Sequence, residues 1–378
     1  MKKSLTLTLT QNCNLNCTYC YENRHSGRTM TFDTAKMILD REMSPLTSED
    51  EIEIDFFGGE PMLEFDLIKK IVEYVRQQAR KHIFKAKYIF FASSNGTLIH
   101  GDIQRWLNDN PSVVIGLSLD GNKAMQDLNR SNSFDRIDLP FFAKTYPFQL
   151  IKMTISNETL PLLADGVAFA HEQGFKVACN LAYGIDWGNP KYRRELISQL
   201  AKLSDYYISN PTVERATILS RKLSFVGYNT AVKTETVQKF CGTGTAMHTY
   251  DVDGKLYPCQ FFMPISCGPE KAELAKQLIF VDEIPIDNLD KKCRNCILVK
   301  SCPTCYGSNY LSTGNIFSKD NNLCELEKII FYANACLTVN QWEMGQLSEL
   351  DIIELTATLH GCRRIIEEFD SVVKFGLD

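Results

Sequence analysis

The sequence of 378 residues lacks the features that place a protein in a membrane, on a nucleic acid or outside the cell. No stretch approaches the roughly 18 consecutive apolar residues that a transmembrane helix needs. Its 41 basic residues are outnumbered by 46 acidic ones, so there is no basic excess of the kind that binds phosphate backbones. Apolar and polar residues alternate from Ser4 to Thr10, where a signal peptide would continue as one apolar run. We therefore expect a cytoplasmic protein without nucleic-acid or membrane partners.

The chain is instead rich in cysteine, and its 14 cysteines are grouped rather than scattered. A tight triplet lies near the N-terminus, the long stretch that follows holds only Cys179, and a dense block begins at Cys241. Because cytosolic thiols stay reduced, clustered cysteines in such a protein bind metal more often than they form disulfides. The grouping therefore predicts metal centres towards both ends of the chain.

Between the two cysteine groups, strand-like and helix-like segments alternate. The predicted strands are 5–9, 52–57, 88–92, 113–119, 149–155 and 176–181, and the clearest helical patterns are 31–42, 64–82 and 160–173. The first strand alternates apolar and polar residues, which predicts a half-buried strand, whereas several others are near-continuous apolar runs. The alternation implies a parallel α/β sheet, either an incomplete barrel or an open doubly wound sheet. Both folds bind ligands at the carboxyl ends of the strands.

The N-terminal triplet, Cys13-Asn-Leu-Asn-Cys17-Thr-Tyr-Cys20, follows the end of the first predicted strand. Three thiolates on one short loop can hold three corners of a cubane iron–sulfur cluster, which requires soft ligands. No fourth cysteine is near, so one iron would keep an open coordination site, as catalytic metals do. A zinc knuckle is the alternative that these residues leave open.

The triplet and its aromatic Tyr19 resemble the Cys-x3-Cys-x2-Cys signature of radical S-adenosylmethionine (SAM) enzymes. Gly58-Gly59-Glu60-Pro61, at the end of the second predicted strand, is similar to the family motif that contacts the amino group of SAM. Glycines allow the backbone to approach a ligand closely, and a carboxylate complements an ammonium group. The resemblance implies cofactor-binding roles for Tyr19, Gly58, Gly59, Glu60 and Pro61, although the second motif alone could be a turn.

Two further segments at strand ends resemble family motifs less specifically. Ser94-Asn95-Gly96-Thr97 is similar to a Thr-Asn-Gly segment, and Ser118-Leu119-Asp120-Gly121 with Arg130 is similar to a Ser-x-Asp-Gly segment and its downstream arginine. The resemblance implies contacts with SAM or substrate for Asn95, Ser118, Asp120 and Arg130. Asn-Gly and Asp-Gly are also common in plain turns, so a purely structural role is the alternative.

The chemistry of the family accounts for these parts. In such enzymes a reduced cluster donates one electron to the sulfonium of SAM, and the resulting 5′-deoxyadenosyl radical abstracts hydrogen from an unactivated carbon. The cofactor carries this chemistry, while the protein positions it and excludes water. The resemblance also implies an external electron donor such as flavodoxin or ferredoxin.

The second half of the chain holds the denser cysteine block. Cys241-x12-Gly-x4-Cys259 contains a turn signal that predicts a β-hairpin between 247–251 and 256–262. The motif Cys293-x2-Cys296-x5-Cys302-x2-Cys305 follows, and Cys324 comes after 18 intervening residues. Two close pairs could bind zinc, but a zinc ribbon separates its pairs by about 15–20 residues, and here five residues intervene.

This pattern resembles the SPASM extension of radical SAM enzymes, which implies two auxiliary clusters and three [4Fe-4S] clusters in all. Carried over residue by residue, one auxiliary set is Cys293, Cys296, Cys302 and Cys324. The other set is Cys241, Cys259 and Cys305, with either Cys267 or an open iron at the fourth position. The spacing before Cys305 is one residue shorter than is usual in the family, which puts its ligand geometry in question.

The implied architecture is a partial (β/α)6 TIM-like barrel, followed by a small cysteine-rich SPASM domain with a β-hairpin and C-terminal helices. We expect the barrel at 1–210, a linker at 211–240, the SPASM domain at 241–335 and a helical tail at 336–378. Helical periodicity in the tail favours packing against the barrel over docking of a partner.

SPASM proteins mostly act on peptides or proteins, and two subclasses compete. Enzymes that install formylglycine in sulfatases have an aspartate base after the cysteine that corresponds to Cys259, whereas this chain has Gln260, which accepts no proton at neutral pH. We therefore favour maturation of a ribosomally synthesised precursor peptide by a thioether or carbon–carbon crosslink, with sulfatase maturation as the alternative. Auxiliary clusters can take up the second electron that crosslinking releases.

Other aspects stay open. The first strand begins at Ser4, so we expect no N-terminal leader-binding domain, and leader recognition would use a separate protein or a sheet edge. A non-catalytic iron–sulfur electron carrier is a less favoured alternative, and a transfer-RNA-modifying enzyme conflicts with the acidic charge balance. No histidine lies in a motif that demands a catalytic role, so we assign no general base.

Overall fold

The computed structural model describes residues 2–22, 27–227, 235–347 and 351–374. Parts of the predicted linker and tail, at 228–234, 348–350 and 375–378, lie outside these ranges. The strands are β1 (Lys2–Thr10), β2 (Glu51–Gly58), β3 (Lys87–Ser94), β4 (Val113–Leu117), β5 (Leu150–Ile155), β6 (Lys176–Leu181), β7 (Thr236–Gln238), β8 (Met247–Tyr250), β9 (Leu256–Tyr257) and β10 (Glu283–Pro285).

The helices alternate with the strands through the first half of the chain and predominate towards its end. They are α1 (Phe32–Met43), α2 (Phe65–Arg80), α3 (Asp102–Asp109), α4 (Lys123–Asn129), α5 (Leu139–Thr145), α6 (Leu163–Glu172), α7 (Pro190–Ser209), α8 (Ser224–Gly227), α9 (Pro264–Cys267), α10 (Pro269–Ala275), α11 (Lys291–Arg294), α12 (Tyr306–Thr313), α13 (Asn321–Glu343) and α14 (Ile352–Lys374). All six predicted strands are present as β1 to β6, and the three predicted helices correspond to α1, α2 and α6.

Contacts divide the chain into two compact units. The first comprises Met1–Leu119, Arg130–Ile151 and Cys241–Asp282, and the second comprises Asp120–Asn129, Lys152–Phe240 and Glu283–Asp378. This division follows contacts rather than sequence segments. The domain boundaries expected from the sequence therefore remain predictions.

The main sheet of the first unit has the strand order β4-β3-β2-β1-β8-β9. The first four strands of the chain run parallel to one another, which confirms the predicted α/β class. Strand β8 also pairs parallel to β1, with Leu5 opposite His248, and β9 completes the predicted hairpin with β8. The predicted fifth and sixth strands differ from expectation, because β5 and β6 pair with each other in a separate two-stranded sheet.

Strand β1 is buried on both faces, which corrects the half-buried strand that its alternation predicted. Leu5, Leu7 and Leu9 are fully buried, and the threonines between them are also at most 2% exposed. Strand β1 lies between β2 and β8, and the segment that follows β9 contacts its threonine face through Met263. Thr8 illustrates this cover, because its hydroxyl donates to the sulfur of Met263 at 3.5 Å.

The second unit is mainly helical. Its core includes Leu223, Val226, Leu298, Phe331, Ala335, Cys362, Ile365 and Phe369. Helix α14 lies very close to α8, where a Cβ on Gly361 would stand 2.1 Å from the carbonyl oxygen of Leu223. The predicted helical tail therefore packs within this unit through contacts that only glycine allows.

Candidate cofactor site

The three cysteines of the N-terminal triplet lie on the loop that follows β1, which we call the cysteine loop (residues 11–22). Cys13, Cys17 and Cys20 are each partly exposed. Leu15, at 5% exposure, anchors the middle of the loop, and its N–H donates to the sulfur of Cys13 at 3.5 Å. The backbone is thus held inward while the three cysteines stay partly exposed, which suits a loop that supplies soft metal ligands.

Gly58 and Gly59 bring the end of β2 into backbone contact with the cysteine loop. A Cβ on Gly58 would stand 2.1 Å from the carbonyl oxygen of Thr10, and one on Gly59 would stand 2.2 Å from that of Asn12. Gly58 also has φ +139°, which L side chains rarely adopt. The close approach expected of these glycines is therefore made to the chain's own backbone, and their contact with SAM remains a prediction.

Hydrogen bonds reinforce this contact. The Gly59 N–H donates to the Thr10 carbonyl at 3.1 Å, and the Glu60 N–H donates to the Asn12 carbonyl at 2.9 Å. Buried Pro61 then begins a short 3-10 turn at Pro61–Glu64. The end of β2 therefore fixes the first residues of the cysteine loop directly ahead of Cys13.

The Glu60 side chain is 1% exposed and fully engaged within the protein. One carboxylate oxygen accepts from the Ser94 hydroxyl at 2.9 Å and the Met62 N–H at 3.0 Å, and the other accepts from the Asn95 N–H at 2.8 Å. Burial raises the pKa of Glu60, while these hydrogen bonds and the charge of Arg130 oppose that rise. Glu60 therefore connects the end of β2 to the end of β3.

Asn95 extends the connection back to the cysteine loop. Its side-chain amide nitrogen donates to the side-chain Oδ1 of Asn14 at 2.9 Å, and the side-chain amide nitrogen of Asn14 donates to the Thr97 hydroxyl at 2.8 Å. Thr97 in turn donates to Asn95 at 2.7 Å. Sequence reasoning did not assign Asn14 a role, because its only signal was its place between two cysteines.

The far side of the cysteine loop contacts the segment that begins at Arg130. The Arg130 guanidinium, on a residue only 8% exposed, lies 5.4 Å from the centre of the Tyr19 ring, in cation–π geometry. The Asn16 N–H donates to the Ser131 hydroxyl at 2.9 Å. Both predicted residues, Tyr19 and Arg130, are thus brought together at this loop.

The remaining predicted SAM contacts are placed differently. Ser118 is half-buried in the first unit, and its N–H donates to the Ser94 carbonyl at 2.8 Å. Asp120 belongs to the second unit and is fully buried, where its carboxylate accepts from the Thr154 N–H at 2.9 Å and the Asn129 amide at 3.1 Å. Its carboxylate thus joins the turn after β4 to β5, and its predicted role towards SAM gains no support.

Four of the predicted auxiliary ligands lie together in the second unit. Cys293, Cys296, Cys302 and Cys324 line one cavity of about 210 Å³, which we call the four-cysteine cavity. Burial raises the pKa of the Cys302 thiol to about 12, and nearby Lys319 opposes that rise. The donor set fits a four-thiolate cluster, whose binding requires the thiols to deprotonate.

The second predicted set is divided between the two units. In the first unit, Cys241 is exposed with its sulfur 2.9 Å from the Thr243 hydroxyl, Cys259 is buried, and the Cys267 thiol donates to the Met263 carbonyl at 3.3 Å. Cys305 belongs to the second unit and caps α12. These positions leave the fourth ligand of this set a prediction.

Neither a membrane-spanning helix nor a single-ion metal site is present among the described residues. No helix there is long and apolar enough to cross a membrane. Within the same ranges, no group of three or more His, Cys, Asp or Glu side chains converges on one point as a single-ion site. The ligand assignments therefore remain proposals.

The chain is similar in sequence and in fold to known proteins. Residues 7–138 match the Radical SAM superfamily. The chain is 25% identical over 372 residues to a cysteine-type anaerobic sulfatase-maturating enzyme of Clostridium novyi, covering 88% of this chain and 96% of that protein.

Two solved structures share the fold. One, "Native anSMEcpe with bound AdoMet and Cp18Cys peptide", has a TM-score of 0.68 at 20% identity and covers 91% of this chain and 100% of the other. The other, Streptococcus suis SuiB bound to S-adenosylmethionine, has a TM-score of 0.52 at 15% identity and covers 85% and 77%.

Proposed function

The chain is a radical SAM enzyme, and from that premise we propose that it crosslinks a precursor peptide. In this proposal, SAM binds against an iron–sulfur cluster on the cysteine loop. The observation that carries the proposal is the attachment of this loop to the ends of β2 and β3 through Gly59, Glu60 and Asn95. That attachment places three thiols at the carboxyl edge of a parallel sheet, where α/β folds bind their ligands.

The residues of this edge have distinct roles in the proposal. Cys13, Cys17 and Cys20 would hold three corners of the cluster and leave the fourth for SAM. The cluster and SAM, when bound, supply the one-electron cleavage that starts hydrogen abstraction from the substrate. Gly59 and Glu60 fix the loop, and Tyr19 with Arg130 encloses its far side. Fixing the loop matters because the reacting atoms must be held in a defined geometry.

We assign one auxiliary cluster to the four-cysteine cavity and a second to Cys241, Cys259 and Cys305. With the N-terminal cluster this makes three cubanes, or about twelve irons per chain. A low-potential donor of the flavodoxin or ferredoxin type would supply the electron, and a separate protein could present the leader of the peptide. Crosslinking removes two hydrogens from the peptide. One would leave as a hydrogen atom to the 5′-deoxyadenosyl group, and the other as a proton to solvent and an electron to an auxiliary cluster.

SAM cleavage tests the first half of the proposal. The chain, reconstituted with iron and sulfide without oxygen, should release 5′-deoxyadenosine from SAM when dithionite is added. Cys17→Ala should abolish this product, whereas Cys336→Ala, a partly exposed cysteine outside every motif, should retain it. Equal activity in both variants, or no product from the unaltered chain, would overturn the proposal.

The products distinguish crosslinking from other modifications. Short peptides encoded beside the gene are co-expressed with the chain and analysed by mass spectrometry. A crosslink removes two hydrogen atoms and keeps all sulfur, whereas conversion of cysteine to formylglycine removes the sulfur. Fragmentation that locates a bond between two residues supports the proposal, and an unchanged mass in every peptide contradicts it.

Formylglycine formation is the second candidate, favoured by similarity over 96% of the length of the Clostridium novyi enzyme. Gln260 argues against it, because an amide cannot act as the base that the resemblance implies after Cys259. A peptide spanning the target cysteine of a sulfatase decides between the two. Loss of its sulfur on incubation with the chain and SAM would establish the second candidate.

A further inference from the structure

A buried positive charge reaches into the four-cysteine cavity. The Lys319 side chain is only 12% exposed, and its ammonium group donates towards the Cys302 sulfur at 3.6 Å and to the Pro303 carbonyl at 3.2 Å. A lysine is rarely buried unless it is paired. Its position beside a sulfur that we assign to a cluster therefore requires an explanation.

The backbone around Lys319 is held in place. Lys292 donates to the Lys319 carbonyl oxygen, and the next residue, Asp320, caps α13 by accepting from the N–H groups of Asn322 and Leu323. Cys324 follows in the first turn of the same helix. Lys319 and this cysteine thus lie on one fixed backbone segment, and the contacts with Cys302 and Pro303 hold the ammonium group.

Lys319 belongs to a chain of three charges. Glu327, 13% exposed, lies 3.5 Å from the Lys319 ammonium through one oxygen and 2.8 Å from the Arg221 guanidinium through the other. Two cations and one carboxylate leave a net positive charge beside the cavity. By contrast, Lys328 lines the same cavity but is 24% exposed and pairs at 2.6 Å with Glu325.

We propose that Lys319 raises the reduction potential of the cluster held by Cys293, Cys296, Cys302 and Cys324, and that Glu327 limits this effect. The inference rests on the proposed function, which places a cluster in the cavity. A four-thiolate cluster becomes more negative when it gains an electron, so a nearby cation and an N–H···S hydrogen bond favour its reduced form. Lys319 thereby helps the cluster to accept the electron that crosslinking releases.

The potential can be measured apart from catalysis. The full chain carrying Cys13→Ala, Cys17→Ala and Cys20→Ala is loaded with iron and titrated with dithionite, and electron paramagnetic resonance monitors the remaining clusters. Lys319→Met should shift one titrating component to a more negative potential, and Lys319→Arg should restore it. Glu327→Gln should shift the same component in the opposite direction. Lys300→Met removes an exposed charge two residues from Cys302 and should leave all components unchanged.

The opposite signs separate an electrostatic effect from a structural one. Unchanged potentials, or shifts of the same sign in Lys319→Met and Glu327→Gln, would overturn the inference. If Lys319→Met does not assemble its cluster, Lys319→Arg and Glu327→Gln decide the matter. If the proposed function is wrong, the chain with its N-terminal cysteines intact will not cleave SAM. If the four-cysteine cavity binds no iron, the inference itself is refuted.

Discussion

Replacement of Gly59 by alanine tests whether backbone contact between β2 and the cysteine loop is needed for the cluster. The added Cβ would stand 2.2 Å from the Asn12 carbonyl oxygen and 2.9 Å from the Cys13 Cβ. Since real Cβ atoms stay beyond 3.0 Å from such atoms, the loop must retreat by on the order of 1 Å. That displacement also breaks the hydrogen bond from Glu60 to Asn12.

The expected loss follows from these two effects. Overpacking costs about 1–3 kcal/mol and the broken hydrogen bond about 1 kcal/mol, so the free energy of unfolding should fall by about 2–4 kcal/mol. A 1 Å misplacement next to Cys13 should also lower 5′-deoxyadenosine formation on the order of 100-fold. Urea unfolding, iron content and product formation measure the three consequences in one preparation.

The control is Gly101→Ala, which adds the same methyl group to a glycine with φ +50° and no neighbouring atom within 4 Å. Backbone strain should lower its free energy of unfolding by about 1–3 kcal/mol, and it should keep its iron. The reasoning fails if Gly59→Ala keeps full iron and unfolds at the same urea concentration as the unaltered chain.

Three further outcomes are expected from buried contacts. Glu60→Gln should reduce the free energy of urea unfolding by about 1–3 kcal/mol, because an amide nitrogen would face a donor such as the Asn95 N–H. Burial lowers the pKa of His171 below its usual 6.5. The unfolded chain therefore binds a proton on this ring more readily than the folded chain, so the free energy of unfolding should fall as the pH drops below about 6.5. In His171→Gln, unfolding midpoints measured between about pH 7.5 and 5.5 should show a smaller decline. Gly361→Ala should lower the thermal midpoint, since its Cβ would meet the Leu223 carbonyl at 2.1 Å.

Local pattern predicted much of the architecture. Apolar runs located β2 to β6 within a few residues, and Thr31 begins α1 by accepting from the Thr34 N–H, as a capping residue should. The pairing of β8 with β1 could not be predicted, because a short strand carries no signal for which distant edge it will join. The burial of the threonine face of β1 was missed for the same reason.

The candidate site was predicted in part. Motif resemblance pointed to Tyr19, Glu60 and Asn95, which the structure gathers around the cysteine loop. It could not reveal that the Asp120 carboxylate is engaged by Thr154 and Asn129, because those partners come from elements whose contacts are set by tertiary packing. The buried Lys319 likewise carried no signal, since a single lysine in a polar segment usually lies at the surface.

The pairing of β1 with β8 bears on how the protein is made. Strand β1 is translated before its second neighbour β8, which begins more than 200 residues further along the chain. Until then one edge of β1 offers unpaired backbone groups, which invite association with other nascent chains. Contacts of such sequence separation also form slowly. A fragment ending near residue 210 would keep that edge exposed permanently, so it should aggregate where the full chain folds.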